Sequence, residues 1–158
     1  MTAIHPETLA RAPSTSLVES APSQAEAGAW APTRKALWAG RIMTGLGAAF
    51  LLFDGTFKLL ASPEAVEGTT QLGYPASVLL GLGILQLTLL AIYLVPRTAV
   101  LGAVLWTGYL GGAVATHVRV ENPLFSHVLF PVYIGLLLWG GLWLRDRRLQ
   151  VLLPLSRS

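Results

Sequence analysis

The stretch AVLGAVLWTGYLGGAVATHV (99–118) decides the fold class. It contains no aspartate, glutamate, lysine or arginine. Wound as a helix, a run of this length rises about 30 Å, the thickness of the hydrocarbon core of a bilayer. Three further stretches share its character. Residues 38–60 include GLGAAFLLF (45–53) and number 23, a rise of about 34 Å. Residues 76–95 carry no charge and end at Pro96-Arg97, where the third span opens at Thr98 and runs to Val118. Residues 125–144 follow Asn122-Pro123 and stop at RDRR (145–148). The short connections from second to third span and from third to fourth force antiparallel neighbours. The expected fold is all-α, a four-transmembrane-helix antiparallel bundle.

Composition agrees. Of 158 residues, 53% are hydrophobic and 12% charged, about half the share of roughly 25% usual in soluble domains. Lipid must therefore be the solvent for part of the surface. The net charge of +3 does not indicate nucleic acid, because the basic residues flank apolar segments and form no patch interleaved with stacking aromatics. The absence of cysteine excludes disulfides, thiolate metal ligands and thiol catalysis by this chain. Residues 1–33 read differently: Pro6, Pro13, Pro22 and Pro32 punctuate Ala, Ser, Thr and Glu without hydrophobic period, as expected of a disordered tail. The expected organisation is this tail, a transmembrane domain over 34–150, and a cytoplasmic C-terminal tail over 151–158.

Orientation follows from the basic residues. Arg34, Lys35, Arg41, Arg97, Arg145, Arg147 and Arg148 fall at one end of the bundle, and only Lys58 and Arg119 at the other. By the positive-inside rule both termini are expected to be cytoplasmic. Between the first two spans lies SPEAVEGTTQLGYP (62–75). Ser62 suits an N-cap, Pro63 the first helical position and Glu64 the positive end of the helix dipole, with Gly73 and Pro75 as stop signals. This predicts a short interfacial helix that turns Val66, Thr69 and Leu72 toward the bundle. The GxxxG spacing of Gly108 and Gly112, with Gly81, Gly83, Gly111, Gly140 and Gly141, predicts close helix packing.

Most of the polar residues in or beside the spans gather at one end: Asp54, Lys58, His117, Arg119, Glu121 and His127. Ionisable groups in lipid are costly, so such a cluster marks a functional site by default. Asp54 and Lys58 stand at i and i+4, acid before base, the favourable order for an ion pair. They serve either as a tie that fixes helix register or as proton or ligand chemistry. Tyr109, Gly112, Ala113, Thr116 and His117 form a small-and-polar stripe expected to face the interior. His127 opens the fourth span across a tight turn, so the two imidazoles can approach each other and Asp54. Pro131 withholds the helical donor from the His127 carbonyl and is expected to bend the helix. Gln86, mid-span and on one face with Gly83 and Tyr93, suits a hydrogen bond across the core. The candidate site is thus Asp54, Lys58, Tyr109, His117 and His127. No metal motif such as HExxH accompanies it, no metal or other cofactor is assigned, and no catalytic motif is present.

With these residues in view, the chain resembles the DoxX-like family of small bacterial membrane proteins. The matching stretches are LLFDGTFKLL (51–60), QLGYP (71–75), PRTAVLGAVLWTGYLGGAVATHVRV (96–120), PLFSHVLFP (123–131) and LLWGGLWLRD (137–146). The resemblance implies a four-helix inner-membrane protein, and an accessory subunit linked to quinone or redox metabolism, with a redox protein or quinone as partner beside the lipid. Any thiol chemistry would belong to the partner or the substrate. The alternative is a small transporter or ligand-binding membrane protein with an outward-facing polar cavity.

Overall fold

The computed structural model describes residues 33–152; residues 1–32 of the expected N-terminal tail, and residues 153–158 of the C-terminal one, lie outside the described residues. Helix α1 (Arg34–Leu59) is capped by Thr33, whose hydroxyl accepts from the Ala36 amide at 3.2 Å. A short helix α2 (Pro63–Gln71) follows. A 3₁₀ turn (Ala76–Val78) leads into α3 (Leu79–Leu94), and α4 covers Ala99–Arg119. A π-helical turn (Leu124–Val128) precedes α5 (Phe130–Trp143), and α6 (Arg147–Leu152) ends the described chain. Four segments are long and apolar enough to cross a membrane: Arg34–Leu59, Ala76–Leu94, Ala99–Arg119 and Leu124–Trp143. The expected four-span, all-α bundle is what forms.

The spans stand in a ring. Helix α1 packs on α3 and α5, and α4 packs on the same two; the backbones of the diagonal pairs do not meet. Neighbours run antiparallel, since Thr44 meets Tyr93 while Gly55 meets Leu87, and Gly40 meets Gly141 while Gly47 meets Leu138. Leu51, Ala103, Trp106 and Leu138 fill the centre, while Leu46, Phe53 and Leu136 project outward. Outward leucines cost nothing in lipid, so burial of apolar area no longer selects partners; close packing and interhelical hydrogen bonds do. A Cβ on Gly102 would lie 2.5 Å from Tyr93 Cα, and one on Gly141 2.5 Å from Thr44 Oγ1. These are the tight crossings. Gly108, Gly111 and Gly112, expected to admit a neighbouring helix, meet nothing within 4 Å, because α4 turns the opposite face, with Gly102, Ala103 and Trp106, toward the core.

The three turns at the polar end share one construction. Ala61 (φ 46°), Gly73 (φ 80°) and Glu121 (φ 55°) occupy the left-handed region after α1, α2 and α4. At each, the next residue's amide reaches back five positions, as from Ser62 to Phe57 O at 3.1 Å, from Tyr74 to Thr69 O at 3.2 Å and from Asn122 to His117 O at 3.0 Å. These are Schellman caps, and a proline follows two residues after each left-handed residue, at Pro63, Pro75 and Pro123. Helix α2 forms as expected: Ser62 Oγ accepts from the Ala65 amide at 3.2 Å, and Thr69 is buried while Val66 and Leu72 are half-buried. Pro131 does not bend a continuous helix. It stands in the first turn of α5, and the chain before it widens so that the Val128 and Leu129 amides donate five residues back, to Pro123 O and Leu124 O at 3.3 and 2.9 Å.

Candidate functional site

Gly55 and Gly83 let α1 and α3 approach near the polar end; a Cβ on Gly83 would lie 3.1 Å from Gly55 O. That closeness brings Gln86, fully buried on α3, against α1. Its Nε2 donates to Leu51 O at 2.9 Å and to Asp54 Oδ2 at 2.7 Å. Its Oε1 accepts from Lys58 Nζ at 3.0 Å and from the Tyr109 hydroxyl at 2.9 Å. Lys58 also donates to Asp54 Oδ2, in the one ion pair among the described residues. Three helices, α1, α3 and α4, thus share one network centred on Gln86. Every donor and acceptor of the Gln86 amide is used, as burial in an apolar bundle requires. The pair at the edge is less saturated. Asp54 has the more exposed side chain, 36% against 18% for Lys58, and both its side-chain hydrogen bonds fall on Oδ2, which leaves Oδ1 without a partner among the described residues. Lys58 retains one of its three N–H donors.

The histidines form a second group. The rings of His117 and His127 lie 5.8 Å apart between centroids, across the turn between α4 and α5. His117 Nδ1 is 2.8 Å from Asn122 Nδ2, and His127 Nδ1 is 2.8 Å from Ser126 Oγ. The expected meeting of the imidazoles therefore occurs, whereas neither hydrogen-bonds to Asp54 or Tyr109 among the described residues. No cluster of three or more His, Asp or Glu side chains suited to a metal ion is present among the described residues. Tyr109 joins Asp54 and Lys58 through Gln86, not through the histidine end of its own helix.

A third set of contacts straps α2 to α4. Arg119 donates to Leu72 O at 2.6 Å, its guanidinium lies 5.5 Å from the Tyr74 ring centroid, and the Tyr74 hydroxyl is 3.2 Å from Thr116 Oγ1. Sequence reasoning left Gln86 out of the candidate site, though its mid-span position and shared face with Gly83 and Tyr93 were the signal. Asn122, Ser126 and Tyr74 carried no such signal, being ordinary turn residues until their partners are known. Along α1, on either side of Asp54 in sequence, Phe53 lies 4.3 Å from Phe57, and one turn earlier Phe50 packs edge to face on Phe130 at 5.1 Å.

Compared with known proteins, residues 42–141 match the model of a family described as the DoxX-like family. No curated protein and no solved structure matches the chain.

Proposed function

The chain belongs to the DoxX-like family, and from that premise we propose that it is an accessory membrane subunit that holds a quinone headgroup beside Asp54 and Lys58. The observation that carries this reading is the unpaired Oδ1 of Asp54 next to a spare Lys58 donor, at the edge of an otherwise saturated network and with phenylalanines adjacent along α1. A quinone carbonyl accepts a hydrogen bond from the ammonium, its reduced hydroxyl donates one to the carboxylate, and its ring packs against aromatic side chains. The basic residues at the opposite end support a polar end that faces away from the cytoplasm with both termini inside, and membership of the family supports the inner membrane of a bacterium as its location. Electrons come from a partner protein, and any thiol chemistry lies there or in the substrate, since this chain has no cysteine.

A second reading has an observation of its own. All four valences of the Gln86 amide are filled by protein, which suits a structural tie among α1, α3 and α4. One experiment separates the two: titrate the protein in lipid nanodiscs with a short-chain benzoquinone and follow quenching of tryptophan fluorescence. Saturable quenching that weakens about tenfold in Asp54→Asn and Lys58→Met, the loss of one charge-assisted hydrogen bond, supports quinone binding. Lowered melting temperatures in both variants, with no saturable quenching in the parent protein, support the tie and remove the quinone link.

A further inference from the structure

The end of the bundle opposite the polar network carries a second feature that needs a partner. Where α1 and α5 cross most tightly, a Cβ on Gly40 would lie 2.9 Å from Gly141 O and 3.7 Å from Arg145 Cβ. Arg145 is therefore level with Gly40, held on the seam just past the end of α5. Its Nε is buried and has no hydrogen-bond partner among the described residues, and the same holds for the indole N–H of Trp143 two residues earlier. Both are donors only, so what each lacks is an acceptor. A half-buried guanidinium with neither acceptor nor counter-charge among the described residues is a costly arrangement unless the missing charge comes from beyond them.

Arg41, the next residue after Gly40, is exposed on the outer face of α1 and stacks over Trp38, its Cζ 5.9 Å from the ring centroid. Stacking occupies the face of a guanidinium and leaves its edge donors free for a forked acceptor. Trp38 is itself 56% exposed, as befits an indole at a membrane–water interface. Asp146 is the only acid at this end among the described residues, and its Oδ1 accepts from the Arg148 amide at 2.9 Å. Neither Arg41 nor Arg145 has an ion pair among the described residues.

We propose that this end of the α1–α5 seam binds the phosphodiester of an anionic phospholipid, between Arg41 and Arg145. The acceptor belongs to the bilayer because Arg41 and Trp38 face lipid, and it is anionic overall because a choline or ethanolamine headgroup would bring its own cation against an unneutralised pair. The site stands apart from the Asp54 network and does not depend on quinone binding there.

The test uses the full chain in detergent, offered equal amounts of phosphatidylglycerol and phosphatidylcholine, with retained lipid read by native mass spectrometry. Phosphatidylglycerol is retained over phosphatidylcholine by about tenfold, and Arg41→Gln and Arg145→Gln each lower that preference by about fivefold, the weight of one basic residue at an anionic surface. Arg97→Gln, in the connection between α3 and α4, leaves it unchanged. Equal retention of the two lipids by the parent protein overturns the proposal, as does an unchanged preference in Arg41→Gln, which is lipid-facing and decides the matter even if Arg145→Gln fails to fold. Displacement of the phosphatidylglycerol by millimolar inorganic phosphate also overturns it, since the site would then read a free anion.

Discussion

At Gln86 two hydrogen bonds arrive on Oε1 and two leave from Nε2, and this convergence rests on glycines that admit the neighbouring helix. The position of Gln86 on a face with Gly83 and Tyr93 is legible from helical period alone. Its partners are not, because they sit on α1 and α4 at separations of 23 to 35 residues, which depend on how the ring closes. The glycines teach the same lesson. Gly108 and Gly112 show the most visible spacing, yet the crossing of α3 and α4 uses Gly102, since a spacing on one helix does not reveal which face meets its neighbour. Gly102→Ala would place a methyl 2.5 Å from Tyr93 Cα, backbone that cannot rotate away. Its expected cost is about 1–3 kcal/mol of overpacking, read as a lower melting temperature in detergent. Gly108→Ala, with nothing within 4 Å, gains up to about 1 kcal/mol of helix propensity and melts no lower than the parent.

The elements end where their caps tell them to. Helix α2 was legible almost residue by residue, from Ser62 and Pro63 at its start to Gly73 at its stop. The caps after α1 and α4 were not, because Ala61 and Glu121 hold left-handed positions that glycine or asparagine usually announces. Only the prolines two residues on, Pro63 and Pro123, hinted that all three turns follow one plan. An L-residue with a Cβ loses about 1–2 kcal/mol in this conformation. Ala61→Gly is therefore expected to raise the melting temperature, by about 1 kcal/mol of stability after the added chain entropy of glycine is set against it. Calorimetry on the purified protein measures it, and a decrease would mean that the Ala61 methyl makes a contact worth more than the strain. The break before α5 has a comparable origin. Pro131 was legible as a bend, but not the five-residue reach before it, in which the Pro123 carbonyl accepts from both His127 and Val128 and the Leu124 carbonyl accepts from Leu129.

Across the whole molecule, the number of spans, their antiparallel order and the separation of polar from basic ends were legible, since length, hydropathy and charge placement set them. The division of the polar end into an Asp54–Lys58–Gln86–Tyr109 network and a separate His117–His127 pair was not, because helical period fixes depth along a span but not rotation within the ring. The account rests on four crossings that place α2 and the α3–α4 connection on opposite faces of the bilayer. The chain has no cysteine, so single cysteines introduce no background. Thr70→Cys in α2 and Arg97→Cys between α3 and α4 are both exposed positions, and an impermeant maleimide applied to intact cells and then to inverted membrane vesicles reports the side of each. The expected result is labelling of Thr70→Cys in intact cells alone and of Arg97→Cys in inverted vesicles alone. Labelling of both from the same side would contradict the account.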